Sequence, residues 1–210
     1  MRAALGLGLL AALCGCSPRV PLEAAPPREA ERLVLDTREP EAFAAGHLPG
    51  ALNLQWGWSQ LEARVRSYVP DLDTPLAVRG STPAEAERAA AVLVALGYED
   101  VTLPPSAPET ATLALITAAE LRERLAGPEP PTLIDVRSEA EFETGTVAGA
   151  RCVDQDLAPG LLEELDPAGS YAVVCEGGWR SSQLASLLRR HGVEDVINVI
   201  DGMAGWRALD

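Results

Sequence analysis

The sequence predicts two small α/β domains in tandem, each a parallel sheet flanked by helices. Three observations carry that expectation: an internal repeat, short apolar runs bounded by polar residues, and helical periodicities that stop at glycine. Asp36-Thr37-Arg38 recurs as Asp135-Val136-Arg137, and Phe43, Gly46, Gly50 and Ala51 return 99 positions later as Phe142, Gly145, Gly149 and Ala150. Strands that alternate with helices at this spacing build parallel sheets. With 210 residues, 47% hydrophobic and 23% charged, the chain is long enough for two cores and is not wholly disordered.

Residues 1–15 read as a leader. Met1-Arg2 precedes the uncharged run Ala3 to Leu13, about the length of a signal-peptide core and too short for the roughly 20 apolar residues of a membrane span. The run ends in Leu13-Cys14-Gly15-Cys16, which resembles the lipobox of bacterial lipoproteins. That resemblance implies lipidation at Cys16 and a membrane-anchored protein on the extracytoplasmic, periplasmic side. A simple cleaved signal or an apolar N-terminal helix is the alternative. Residues 16–30 carry Pro18, Pro21, Pro26 and Pro27 and read as an extended tether.

The first domain is expected over 31–104. Leu33-Val34-Leu35 and Leu76-Ala77-Val78 are short apolar runs of the kind buried in parallel sheets. Ala86, Ala89, Ala90 and Leu93 lie on one helical face, and Gly97 suits the left-handed residue after a helix. The Pro-rich stretch from Leu103 to Thr112 supplies a linker over 105–112. The second domain, 113–210, repeats the pattern: Thr132-Leu133-Ile134 and Tyr171-Ala172-Val173-Val174 as strands, Leu184, Leu187 and Leu188 on a helix, Gly192 as its stop.

The charge excludes one class of partner. All 17 basic residues are arginine, and against 31 acidic residues they leave a net charge of −14, which repels phosphate backbones; no nucleic-acid partner is expected. His47 reads as structural, and His191 sits at a helix end where a cation would favour the dipole. Two histidines without clustered cysteines make no metal site. With Cys14 and Cys16 in the leader, Cys152 and Cys175 remain for chemistry. Cys152 is either buried core or, if it reaches the loop of Cys175, a resolving thiol.

Cys175 ends a predicted strand, and Cys175-Glu176-Gly177-Gly178-Trp179-Arg180-Ser181 leads straight into a helix. Open α/β sheets bind ligands at the carboxyl ends of their strands. A helix N-terminus, backbone N–H groups freed by the paired glycines, and the guanidinium of Arg180 all favour a thiolate and an anionic ligand. Such a thiolate can attack a sulfane sulfur, hold it, and pass it on. Glu176 is an unwelcoming charge for thiosulfate and points to a less anionic donor, and Trp179 either caps the pocket or packs on the neighbouring domain.

This loop resembles the active-site loop of the rhodanese-like sulfurtransferases. The Asp-x-Arg strand ends, the Gly-x-x-x-Gly-Ala segments and the closing stretch Val199 to Trp206 are also similar to that family, with Asp201 where a glycine is usual. The resemblance implies two rhodanese-like domains and transfer of sulfane sulfur from a small-molecule donor, such as thiosulfate or a persulfide, to a thiol or cyanide. Cys175 would be catalytic, and Glu176, Gly177, Gly178, Trp179, Arg180 and Ser181 would bind substrate. No cofactor is implied. The rivals are a non-catalytic sulfur-binding or redox-sensing module and a phosphatase, which would need Cys-x5-Arg where this chain has Cys175-x4-Arg180.

Counting back from Gly97 as far as Cys175 lies from Gly192 reaches Gly80, so the first copy has no nucleophile and is expected to be a degenerate partner. Trp56 and Trp58 read as packing residues or as a border of an interdomain cleft. A loop exposed by its own domain implies that an isolated 113–210 fragment folds and still takes up sulfur, while the first domain shapes the cleft and covers apolar surface where the two meet.

Overall fold

The structure is a computed structural model that describes residues 32–56, 61–104 and 108–209. The leader, the whole tether, Trp58 and Pro105 fall outside these residues.

The first half contains strand β1 (Leu33–Asp36), helix α1 (Pro40–Ala45), β2 (Leu52–Asn53), α2 (Leu61–Tyr68), β3 (Leu76–Arg79), α3 (Pro83–Ala95) and β4 (Val101–Thr102). Its sheet has the order β2-β1-β3-β4 and is parallel throughout. The second half contains β5 (Ala114–Ile116), α4 (Ala118–Leu125), β6 (Thr132–Asp135), α5 (Glu139–Glu143), β7 (Arg151–Cys152), a run of 3-10 turns over Gln155–Glu163, β8 (Ser170–Val174), α6 (Trp179–Arg190), β9 (Asp195–Val199) and α7 (Gly202–Arg207). These strands form a second parallel sheet of order β5-β9-β8-β6-β7. The strands are apolar because both faces are covered: all four residues Tyr171 to Val174 are buried. The predicted helix stops hold, with Gly97 and Gly192 at φ +100° and +88°.

Where α2 lies in the first copy, the second has 3-10 turns. Pro159 sits inside that run, and its missing N–H prevents a continuous α-helix there.

The connecting segment is strapped to the first half: Glu109 pairs with Arg38 at 3.3 Å and Arg79 at 2.9 Å, and Ala111 bridges His47 through backbone hydrogen bonds. The second half shares part of its covering with the first, as the expected apolar junction requires. Every residue of α6 from Ser181 to Leu188 is buried, because one face lies on its own sheet and the other on β2 of the first half. One apolar cluster runs across the junction, including Leu54, Leu61 and Val65 from the first half and Ala158, Leu184 and Leu187 from the second. A separate cluster, with Leu121, Ile197 and Met203, fills the far side of the second sheet.

A polar seam crosses this junction. Asn53, fully buried on β2, donates through Nδ2 to the carbonyls of Asp36 (3.1 Å) and Arg38 (2.9 Å). Its Oδ1 accepts from Gln55 and from the Ser182 hydroxyl of α6, each at 2.5 Å, and its backbone N–H donates to Ser186 Oγ at 3.0 Å. Buried polar groups of this kind persist where each finds a partner.

Candidate active site

Strand β8 delivers Cys175 to the carboxyl edge of the sheet, and α6 starts four residues later. Gly178 makes that turn possible. It caps α6 at φ +83°, and a Cβ there would lie 2.2 Å from the Ile200 carbonyl oxygen. Gly177 needs no such freedom, since a Cβ on it would meet nothing within 4 Å. Of the two glycines read as a pair, Gly178 is required by the backbone and Gly177 leaves open space at the cavity wall. Helix α7 braces the loop from beneath: Met203 N donates to Cys175 O at 2.8 Å and Ala204 N to Glu176 O at 3.0 Å. Gly202 allows this approach, because a Cβ would be 2.4 Å from the Cys175 carbonyl oxygen. Asp201, at φ −93°, needs no glycine, and its carboxylate accepts from Ala118 N at 2.7 Å.

Cys175 is 1% exposed, and Ser181 Oγ donates to its Sγ at 3.3 Å. It lines a cavity of about 720 Å³ between the two halves. Glu176, Gly177, Trp179 and Arg180 line the same cavity, whereas Gly178 and Ser181 lie behind the loop, one shaping the backbone and the other touching the sulfur. The first half contributes Leu54, Gln55, Leu61 and Arg64 to the wall. Trp179 is half-buried on the cavity wall, while Trp56 packs against the shared core.

Arg180 does not present a bare charge to the cavity. Its two terminal nitrogens donate to Glu141 at 2.6 and 2.7 Å, a bidentate pair. The guanidinium holds the Glu141 carboxyl down at about 2, with the Ser138 backbone and hydroxyl helping. Glu141 was not singled out from the sequence, although Ser138-x-x-Glu141 ahead of Phe142 is a legible capping box, and the structure forms it. Glu176 pairs with Arg207 and lies 3.8 Å from Arg137. Arg137 itself is locked to Asp135 at 2.8 Å, as Arg38 is to Asp36 at 2.6 Å in the first copy.

Cys152 occupies the repeat position of Asn53, pairing with Asp135 as Asn53 pairs with Asp36. Its Sγ lies 3.9 Å from Arg137 O, the counterpart of the carbonyl that Asn53 holds. Register places Cys152 two strands from Val174, roughly 9–10 Å. A disulfide to Cys175 would therefore need backbone movement, since bridged Cα atoms lie within about 7 Å. Burial first, then Asp135, Glu139 and Asp154, pushes the Cys152 thiol up and keeps it protonated. Both observations count against a resolving thiol, and Cys152 is not buried core either: it is half-buried on the edge strand β7 and belongs to neither apolar cluster. His47 stacks on Phe43 at 3.8 Å and is structural. His191, expected as a helix-end cation, is pushed down by burial and then by Arg190, which favours the neutral ring.

The register also confirms the counterpart of the cysteine. Arg79 and Val174 close β3 and β8 at matching positions, so Gly80 stands where Cys175 does. A Cβ on Gly80 would lie 2.7 Å from the Ala86 nitrogen, leaving no room for a thiol.

A family model described as the rhodanese-like domain matches twice, over residues 21–103 and 117–209. A protein of Allochromatium vinosum named "Sulfurtransferase" is 30% identical over 91 residues, 43% of this chain and 85% of that protein. The "Thiosulfate sulfurtransferase GlpE" of Pseudomonas putida is 32% identical over 91 residues, 43% of this chain and 79% of that protein. Among solved structures, a rhodanese-like domain protein from Staphylococcus aureus is 32% identical, with a TM-score of 0.43 over 45% of this chain and 91% of that one. The two parallel sheets, the two halves of the repeat and the two matches of the family model coincide, and the chain belongs to the rhodanese-like domain family, in tandem form.

Proposed function

We propose that the protein is a sulfurtransferase that moves sulfane sulfur from a donor to a thiol or to cyanide through a persulfide on Cys175. The observation that carries this reading is the placement of Cys175: at the carboxyl end of β8, ahead of α6, on the wall of a cavity and in contact with the Ser181 hydroxyl. The thiolate attacks the sulfane sulfur, and the donor's remaining part leaves with the electron pair of the broken bond. The acceptor then attacks the outer sulfur, and the pair returns to Cys175 Sγ. Phosphoryl transfer fits less well, since Arg180 is committed to Glu141 and four carboxylates line the cavity. A second reading, capture of sulfur without turnover, draws on the 1% exposure of Cys175, which restricts a departing product. For localisation, Leu13-Cys14-Gly15-Cys16 supports a lipid anchor at Cys16 on the extracytoplasmic side; Cys16→Ser should release the protein from membranes or leave its precursor uncleaved.

The test is incubation of the full chain with thiosulfate or inorganic polysulfide, followed by intact mass and by thiocyanate formation from cyanide. The expected result is a gain of one sulfur and sustained thiocyanate release, both lost in Cys175→Ser. A sulfur that loads without turnover would establish the capture reading. No loading at Cys175 from any donor would refute both.

A further inference from the structure

The amide side chains at the junction form a chain with a fixed direction. Asn53 Nδ2 is committed to two backbone carbonyls, so its Oδ1 is the end that faces Gln55. Gln55 therefore donates to Asn53 and turns its Oε1 toward Gln183, whose Nε2 donates to it at 3.1 Å. Gln183 in turn offers Oε1 to Nε2 of Gln155. The polarity set at the backbone of β1 thus propagates across the junction and ends at Gln155 Oε1. That oxygen is buried without a hydrogen-bond partner, on a residue 2% exposed that lines the cavity of Cys175. The chain terminates in an acceptor, not a donor.

Asp154 is the preceding residue and lines the same cavity. The other lining carboxylates are engaged by arginines: Glu141 by Arg180, Asp156 by Arg64, Glu176 by Arg207. Asp154 Oδ1 accepts the backbone N–H of Asp156 at 2.9 Å, and among the described residues no cation lies within 4 Å of its carboxylate. A carboxylate and an orphaned amide oxygen on consecutive residues of the cavity lining offer acceptors and no donor. Their complement is an ammonium group.

We propose that the organic thiol exchanging sulfur with Cys175 is a small aminothiol, held by its ammonium group at Asp154 and Gln155 while its sulfur reaches the persulfide. The inference rests on the sulfurtransferase reading of Cys175. In the transfer, the thiolate of the aminothiol attacks the outer sulfur of the Cys175 persulfide. A new S–S bond forms on the acceptor, the bond to Sγ breaks, and its electron pair stays on Sγ as thiolate; the persulfide proton travels with the transferred sulfur. The cavity of about 720 Å³ has ample room for such a molecule.

Three probes share the HS–CH2–CH2 unit and differ in the group it carries: cysteamine is cationic, 2-mercaptoethanol neutral, 3-mercaptopropionate anionic. The full chain carrying Cys14→Ser, Cys16→Ser and Cys152→Ser is loaded with inorganic polysulfide, and loss of the added sulfur from Cys175 is followed by mass. Each rate is divided by the probe's solution rate with a small-molecule persulfide. The expected order is cysteamine, then 2-mercaptoethanol, then 3-mercaptopropionate, with roughly tenfold between the first two for one charge-assisted hydrogen bond. Asp154→Asn keeps the cap on Asp156 N and should reduce the cysteamine to 2-mercaptoethanol ratio toward one, and Asp154→Glu should restore it in part. Equal normalised rates, a preference for the anionic probe, or a ratio untouched by Asp154→Asn would overturn the inference while leaving the persulfide intact. Failure of Cys175 to load would overturn the sulfurtransferase reading first.

Discussion

Replacing Asn53 by alanine tests whether the two halves are held by the polar seam or merely rest against each other. The side chain is fully buried and makes four hydrogen bonds through Nδ2 and Oδ1. Truncation leaves the Asp36 carbonyl with a partner, because Leu54 N also donates to it at 2.9 Å. The Arg38 carbonyl, the Gln55 amide and the Ser182 hydroxyl lose theirs. At about 1–3 kcal/mol for each stranded buried group, partly relieved by local relaxation, the expected loss is about 3–6 kcal/mol. That is a large share of a typical stability of about 5–15 kcal/mol. Urea unfolding followed by far-ultraviolet circular dichroism measures it, with an unchanged slope marking a change in stability rather than in compactness. A double-mutant cycle with Ser182→Ala should be non-additive, by at least about 0.5 kcal/mol, since the two residues share a bond across the junction. A cost below about 1 kcal/mol, additive with Ser182→Ala, would refute the account. The same variant also removes the anchor that sets the direction of the amide chain, so its preference for cysteamine should weaken.

Gly178→Ala should cost at least about 2 kcal/mol and most of the sulfur-transfer activity, because φ +83° and a contact of 2.2 Å with backbone are both unfavourable. Gly177→Ala, measured beside it by thermal melting, should be nearly neutral for stability, and equal costs would show that the loop is not pinned at Gly178. Glu141→Gln should improve use of thiosulfate, read as a lower KM, because Arg180 is no longer held by a carboxylate. Its stability deficit should follow pH. With the folded carboxyl at about 2, well below its ordinary value of 4.5, the stabilisation is present above about pH 4.5 and is lost as pH falls toward 2. Solvent screening of the part-exposed pair keeps it under about 1 kcal/mol. Parallel melts of both proteins from pH 7 to pH 2.5 check the trend, and a gap that widens on acidification would contradict it.

The fold was legible because its determinants are local. Apolar runs such as Tyr171 to Val174, the glycines that stop α3 and α6, and the Cys175 loop lie within short windows with their own periodicity or turn chemistry. The partners that set the character of the cavity are not local. Arg180 meets Glu141 across 39 positions, and Ser182 meets Asn53 across 129. No periodicity links such residues, so reading Arg180 alone left its charge uncompensated. Which residues of α6 meet the first half was illegible for a related reason. Leu184, Leu187 and Leu188 identify one apolar face of α6, but nothing local marks the small polar residues Ser182 and Ser186 as covered by β2. His191 at the end of α6 invited a dipole argument, and burial reverses it.

The first copy has exchanged loop chemistry for structure at matched positions. Gly80 replaces Cys175, and the position of Arg180 is taken by Glu85, whose carboxylate accepts from Thr37 Oγ1 at 3.1 Å. Adding a cysteine and an arginine at those places would not rebuild a site, because the Ala86 backbone already fills the space a side chain at 80 would need. The opposite exchange occurs one strand away. Where the second copy places Cys152, with one weak contact to the Arg137 carbonyl, the first places Asn53, which grips the equivalent carbonyl and still reaches α6. An amide with two donors and an acceptor can do both; a thiol cannot. The copy without a nucleophile therefore keeps a role in shaping the cavity of the other. Through Asn53 and Gln55 it determines that the hydrogen-bond chain reaching the cavity ends in an acceptor, and through Leu54 and Leu61 it supplies an apolar part of the wall.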